Sequence, residues 1–281
     1  MISSALSKKF VRDGWILTDL SSASVKVVSR VHKLFLKRLA DHWNVRLSRL
    51  EDYHTIVLDD DLHTNIQSDL TQLYQNAGYG RQLIESSLPY FVDLLGPDLH
   101  IQKYPYIRIS RPGMRQDNIG IHRDTHYGCS PFELSVSIPF TDVPARGAMG
   151  VLSGTHTVAE CDLPVTQVKS AVEKGSEKHK LGFLYAPKVM SDEVRASVKP
   201  VRIGLGQALV FSLSLVHGQE VNRSNSTRIT TDVRLVNSYA PIAWSRNVHA
   251  DYYERLCSSP VSEQARTYQA SNDDHTVSNG K

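Results

Sequence analysis

The chain has 281 residues, 41% hydrophobic and 22% charged, with a formal net charge of +3. That length supports a sizeable core, and the ordinary globular balance excludes a fibrous or disordered chain, while dispersed Lys and Arg at so small a net charge exclude a nucleic-acid partner. No run approaches the roughly 18 apolar residues of a membrane span, and MISSALSKKFVRDGW carries no long apolar stretch after its basic residues, so neither a membrane segment nor a secretory leader is expected.

The first hundred residues read mainly as helix. Val28, Val31, Phe35 and Leu39 recur at three- and four-residue steps on a basic helix. Ile66, Leu70, Leu73 and Tyr74 repeat the pattern, and so do Leu88, Phe91, Val92 and Leu95 before the stop signal Gly96-Pro97. From about residue 100 the period changes to two. Tyr104 to Ser110 alternates, and Glu133 to Phe140 sets Leu134, Val136, Ile138 and Phe140 against Glu133, Ser135 and Ser137. Gln207 to Val216 is rich in Val, Leu and Phe, and Arg228 to Val236 alternates again. Such a series of strands predicts a sandwich or jelly roll. Between strands, the polar segment Glu160 to Lys180 reads as a solvated loop or a lid over a site. From Ser271 the chain lacks apolar anchors and is expected to fray. Cys129, Cys161 and Cys257 have no metal-ligand or redox spacing, which suits a reducing cytoplasm.

His122 and Asp124 stand two apart, so an extended backbone projects both from one face. A neutral imidazole and a carboxylate are two of the three ligands of a facial triad, which leaves the opposite positions of an octahedral iron open. Chance alone readily supplies such a pair. The third candidate is His217, which closes the apolar strand ALVFSLSLV and precedes Gly218, where a bare backbone would let a ligand approach. Eleven residues later Arg228 opens the strand RITTDVRLV. A buried guanidinium there would pair two-pronged with the far carboxylate of a dicarboxylic acid.

Four stretches resemble the phytanoyl-CoA-dioxygenase-like branch of the Fe(II)/2-oxoglutarate oxygenases. FVRDGWILTDL (Phe10 to Leu20) looks like its F-x-x-D-G-aromatic opening, and His122-x-Asp124 matches its metal motif. GAMGVLSGTH (Gly147 to His156) looks like its N-G…P-G-S-H turn, with Ser153 and Thr155 replacing the usual Pro and Ser. His217 through Arg228 matches its distal ligand and cosubstrate Arg. The resemblance implies an α+β, mainly β chain: a double-stranded β-helix (jelly-roll, cupin-like) core with supporting helices mostly from the N-terminal third. It implies one oxygenase domain over residues 1–270, helical to about 100, jelly roll over 101–240 and a helical extension over 241–270, followed by a disordered tail over 271–281. It further implies Fe(II) on His122, Asp124 and His217, with 2-oxoglutarate as cosubstrate held by Arg228 and assisted by Gln219, and O2 as oxidant. The turn histidine His156 is not a ligand in that family.

Asp124 speaks for hydroxylation, desaturation or another oxygen-rebound outcome, because halogenases of this type need a small residue there to admit chloride. The polar residues Arg108, Arg111, His126, Tyr127, Glu133 and Arg234 are candidates for contacting a small polar substrate such as an amino acid, sugar, nucleoside or alkaloid. Two rivals share part of the pattern: a cupin-like metalloenzyme without 2-oxoglutarate, which would not need Arg228, and a binding jelly roll whose metal site has decayed.

Overall fold

The computed structural model describes residues 4–142, 144–167, 188–242 and 251–278. Helix α1 (Ser4–Asp13) ends at Gly14, whose φ of 78° turns the chain into strand β1 (Trp15–Asp19). Helices α2 (Ser22–Trp43), α3 (Asp60–Asn76), α4 (Tyr79–Glu85) and α5 (Leu88–Leu95) follow. The side chain of Ser21 accepts from the Ser24 N–H to start α2, and that of Asp59 accepts from the Leu62 N–H to start α3. The chain then forms β2 (Leu99–Gln102), β3 (Tyr106–Ser110), β4 (Glu133–Pro139), β5 (Gly150–Leu152), β6 (Val165–Gln167) and β7 (Lys188–Met190). Helix α6 (Asp192–Ser197), β8 (Lys199–Pro200), β9 (Gln207–Ser212), β10 (Val216–Gly218), β11 (Arg228–Asn237), β12 (Tyr253–Cys257) and helix α7 (Pro260–Ser278) complete it.

Seven strands form one antiparallel sheet in the order β1-β9-β4-β11-β2-β12, with β3 also paired to β11. A three-stranded sheet, β10-β5-β8, and the pair β6-β7 are separate from it. The two faces of the large sheet have different partners. Ile107, Ile109, Leu134, Val136, Ile138, Ile229, Val233 and Leu235 face the helices and share one core with Val28, Val31, Phe35 and Leu39 of α2 and Ile66, Leu70 and Tyr74 of α3. Burying each such side chain is worth about 1.5–3 kcal/mol, enough to fix the register of β4 and β11. On the opposite face, Leu209 and Phe211 of β9 pack with Met149, Val151, Val201 and Ile203, so the small sheet covers part of that side. The alternate residues of β4 and β11, namely Glu133, Ser135, Ser137, Arg228, Thr230, Asp232 and Arg234, belong to this second face.

Three expectations change. Helix and strand are comparable in extent, so the chain is α+β around a sheet core rather than mainly β. The stretch 241–270 is not a helical extension throughout: β12 joins the large sheet beside β2, with a register shift between Arg255 and Cys257. That shift breaks the alternation by which a strand is recognised. Helix α7 also continues to Ser278, past the expected fraying point at Ser271. Of the polar segment 160–180, residues 168–180 lie outside the described residues, and Val165–Gln167 forms β6. Among the described residues, no helix is long and apolar enough to cross a membrane.

Candidate metal centre

His122 and His217 belong to segments that meet through an isolated antiparallel bridge, each N–H donating to the other's carbonyl at 2.9 Å. This exchange fixes the two backbones before any metal enters. Arg123 continues extended (φ −117°, ψ 139°), and a 3-10 turn then begins at Asp124, whose N–H donates to Leu213 O at 3.1 Å. His122 and Asp124 therefore present their side chains together, as their spacing predicts. One ligating atom from each of His122, Asp124 and His217 lies within 4.8 Å of the others, and all three residues are buried.

The imidazoles are oriented by backbone carbonyls. His122 Nδ1 lies 2.8 Å from Gly120 O, and His217 Nδ1 lies 2.9 Å from Leu215 O. Only a protonated Nδ1 can donate there, which leaves each Nε2 with a lone pair toward Asp124. Nε2 of His122 is 3.5 Å from Asp124 Oδ1, and Nε2 of His217 is 3.8 Å from Oδ2. Burial, reinforced by His122, lowers the His217 pKa to about 4, so its imidazole is neutral at pH 7. Burial pushes the Asp124 carboxyl upward, but the Arg234 charge and the adjacent His122 side chain overcome it and hold the group well below the usual carboxylate range. Two imidazoles and one carboxylate are the donor set of an open-sided iron(II) site.

Gly218 is needed for a reason other than ligand approach. A Cβ there would fall 2.4 Å from Gly120 O, the carbonyl that receives the His122 proton. On the other side of the metal motif, the buried Arg123 donates from Nη2 to Thr155 O. Trp15 Nε1 donates to Ser153 Oγ at 2.8 Å, Gly154 N to Asp13 O at 2.9 Å, and His156 Nε2 lies 3.1 Å from Val11 O. The FVRDGW and GAMGVLSGTH stretches thus dock on each other, and His156 stands outside the triad.

The remaining candidates divide. Arg228 is half-buried with Nε sealed from solvent, and Gln219, Thr230 and Ser137 are buried. Among the described residues, Arg228 Nε, Thr230 Oγ1, Ser137 Oγ and both amide atoms of Gln219 have no hydrogen-bond partner. Burial lowers the Arg228 pKa to about 10, with Asp232 opposing, so it stays cationic. Arg108 Nε pairs with Asp232 Oδ2 at 2.7 Å, and Arg234 Nη2 lies 3.3 Å from Asp124 Oδ1. Glu133 accepts from Tyr253 Oη and from Ser130 N, each at 2.5 Å. The Tyr127 ring is 5.6 Å from that of His122, and His126 belongs to the same turn. Arg111 points the other way. Its guanidinium is bound by Asp117, Asp60 and the carbonyls of Val57 and Leu58, so its donors are occupied on the helical side.

Thr230, Asp232 and Ser137 were not singled out by sequence reasoning. Thr230 and Asp232 share the period-two face of Arg228, and Ser137 that of Glu133, so alternation was the available signal.

A buried His-x-Asp…His centre beside an antiparallel sheet core is the ligand set of a facial-triad oxygenase. The sequence profile of the phytanoyl-CoA dioxygenase family matches residues 31–230. The chain belongs to that family and is an Fe(II)- and 2-oxoglutarate-dependent oxygenase. Among solved structures, the apo form of the non-haem monooxygenase ThoJ shares the fold, at 18% identity and a TM-score of 0.51 over 83% of this chain and 77% of that one. EvdO2 from Micromonospora carbonacea var. aurantiaca complexed with 2-oxoglutarate is 14% identical, with a TM-score of 0.49 over 86% of this chain and 94% of that one. SnoK, an alpha-ketoglutarate-dependent carbocyclase from nogalamycin biosynthesis, is 17% identical, with a TM-score of 0.46 over 89% and 90%. No curated protein sequence matches this chain.

Proposed function

We propose that the chain hydroxylates a small polar molecule in a biosynthetic pathway of secondary metabolites, sugars or amino acids, in the cytoplasm, consuming 2-oxoglutarate and O2 and releasing succinate and CO2. The observation that carries this reading is the set of buried polar atoms without partners among the described residues: Arg228 Nε, Thr230 Oγ1, Ser137 Oγ and the Gln219 amide. Leaving each such group unmet costs about 1–3 kcal/mol, so a ligand rich in oxygen acceptors would suit these donors. 2-Oxoglutarate is such a ligand. Arg228 would bind its far carboxylate by charge-assisted hydrogen bonds, with Gln219 and the two hydroxyls completing the cradle.

His122, Asp124 and His217 would hold Fe(II), which with its cosubstrate supplies the oxidising power for a substrate C–H bond. The residues contribute placement. Gly120 and Leu215 carbonyls keep both Nε2 lone pairs directed inward, and the negative Asp124 occupies the position a halogenase leaves to chloride. This arrangement favours hydroxylation over halogenation.

Charge narrows the substrate. The second face of the sheet carries three guanidinium groups (Arg108, Arg228, Arg234) against two carboxylates (Glu133, Asp232), and Asp124 of the adjacent turn adds a third. Bound Fe(II) and the 2-oxoglutarate dianion would cancel each other. A polar but uncharged substrate would leave the site neutral, and Tyr127, His126 and Arg108 would be its candidate contacts, whereas both Glu133 oxygens are engaged by Tyr253 and Ser130. Arg111 has no part in this role.

The test is anaerobic addition of Fe(II) and then 2-oxoglutarate to the purified protein. The expected result is the weak visible charge-transfer band of a chelated keto acid, followed by succinate release on admitting O2. No band and no succinate would overturn the reading in favour of a metalloenzyme that does not use 2-oxoglutarate.

A further inference from the structure

Arg234 lies on the second face of β11, paired in register with Ser135 of β4. Its guanidinium spans two partners: Nη2 is 3.3 Å from Asp124 Oδ1, and Nη1 is 2.8 Å from Cys129 Sγ. The Tyr252 ring flanks it, 6.0 Å from Cζ. A thiol is a weak acceptor, so the carboxylate is the stronger partner of this cation. Cys129 is itself half-buried, and burial pushes its thiol up to about 12, so it offers no competing negative charge near neutral pH.

The two oxygens of Asp124 are unequal. Oδ1 is the atom nearest Arg234 and also the nearer to His122 Nε2, at 3.5 Å, whereas Oδ2 approaches His217 Nε2 at 3.8 Å. A carboxylate on an octahedral metal binds through one oxygen or through both. The second mode would take one of the three positions that a chelating keto acid and O2 require. A guanidinium ion-paired with one oxygen draws electron density toward it and opposes its rotation toward the metal, and the low local dielectric strengthens that hold.

We propose that Arg234 is a positioning residue that restricts Asp124 to coordination through one oxygen and so keeps three metal positions open. The proposal rests on the Fe(II)/2-oxoglutarate reading above and assigns Arg234 to the metal carboxylate instead of the substrate. A planar guanidinium suits the task because its fork reaches two neighbours at once without presenting a lone pair to the metal.

The experiment is anaerobic titration of Fe(II)-loaded protein with 2-oxoglutarate, followed by the charge-transfer band, in wild type, Arg234→Met and Arg234→Lys. Met removes the ion pair and frees both Asp124 oxygens, so 2-oxoglutarate binding should weaken at least about tenfold and the band should shift. Fe(II) affinity, read by competition with a chelator, should persist because both oxygens still bind. Lys keeps the charge and should restore the wild-type band and most of the affinity. Wild-type affinity and band in Arg234→Met would overturn the proposal. So would equal weakening in Met and Lys with an unshifted band, which would mark a loss of packing alone. Should Arg234→Met fail to fold, Arg234→Ala with added methylguanidinium carries the test. Return of the band and affinity supports the proposal, and no return overturns it. Absence of a band in the wild type is the separate failure of the 2-oxoglutarate reading.

Discussion

Gly218 and Gly120 touch so closely that a Cβ on the first would lie 2.4 Å from the carbonyl oxygen of the second. The same carbonyl accepts the His122 Nδ1 proton, so the residue following one metal ligand sets the orientation of another. Gly218 also has a φ of 135°, a conformation that residues with a side chain rarely adopt.

Gly218→Ala should therefore act on the metal before it acts on the fold. The methyl must displace Gly120, and His122 loses its orienting acceptor. Zn(II) or Fe(II) affinity should fall about 10–100-fold, the range for losing an outer hydrogen bond to a ligating histidine. Backbone strain should cost about 1–3 kcal/mol in a urea melt of the apo-protein. Metal titration by calorimetry checks the first figure, and unchanged affinity would refute the link between the two glycines.

Arg228→Met should weaken 2-oxoglutarate binding with little effect on Fe(II). Hydrogen bonds to charged groups are worth about 1.5–3 kcal/mol, so the dissociation constant should rise about 10- to 150-fold. The variant should stay folded, because the guanidinium Nε has no hydrogen-bond partner to lose among the described residues. A cosubstrate titration giving the wild-type value would remove Arg228 from its assigned role. Asp124→Ala should instead abolish succinate formation, since no other carboxylate among the described residues joins the two histidines.

The ligands were legible in the sequence because their spacing is local: His122-x-Asp124 sits on one short segment, and the interval from His217 to Arg228 is set by one strand connection. The helices α2, α3 and α5 were legible because each must bury one stripe, and β4 and β11 because one face meets that helical core while the other stays polar. Strand β1 was missed because five residues following a helix carry little pattern, and β12 because its bulge at Arg255 to Cys257 breaks the period. The contact of Arg234 with Asp124 joins residues far apart in sequence, and the carbonyls of Gly120 and Leu215 belong to the backbone, which residue identity does not report. Arg111 was misplaced for a readable reason. It stands three positions from Arg108, an odd step, which in an extended segment sends the two side chains to opposite faces.

Asp69 ties α2 to α3 and should make the helical layer acid-sensitive. Arg38 donates to it from Nε at 2.8 Å and Nη2 at 2.6 Å, and Trp43 Nε1 donates at 2.9 Å. The Arg38 hydrogen bonds hold the carboxyl below its ordinary range against the effect of burial. A depressed folded-state pKa stabilises the fold above the unfolded value of about 3.9, and that stabilisation is lost as pH falls through the folded value. Asp69→Asn should thus lower stability at pH 7 by about 1–2 kcal/mol, allowing for partial exposure. The difference from wild type should shrink below about pH 4. Thermal melts across pH 2–7 check it, and a gap independent of pH would refute the assignment.

Arg111→Met separates a structural arginine from a substrate-binding one. Arg111 and Asp117 each have side chains only 1% exposed, joined at 2.8 Å, and Asp60 adds a second bond at 2.6 Å. Removing the cation strands the Asp117 carboxylate in the interior, next to the buried His63 at 3.6 Å. Breaking one half of such a pair costs about 3–5 kcal/mol, a large part of a domain's stability. The chevron midpoint in urea should drop accordingly, whereas the charge-transfer titration on the folded fraction should match wild type, because Arg111 donates on the helical side and the triad opens on the other. The double variant Arg111→Met/Asp117→Leu should recover much of the loss by removing the stranded charge as well. A stable Arg111→Met protein with altered substrate turnover would return this residue to the site.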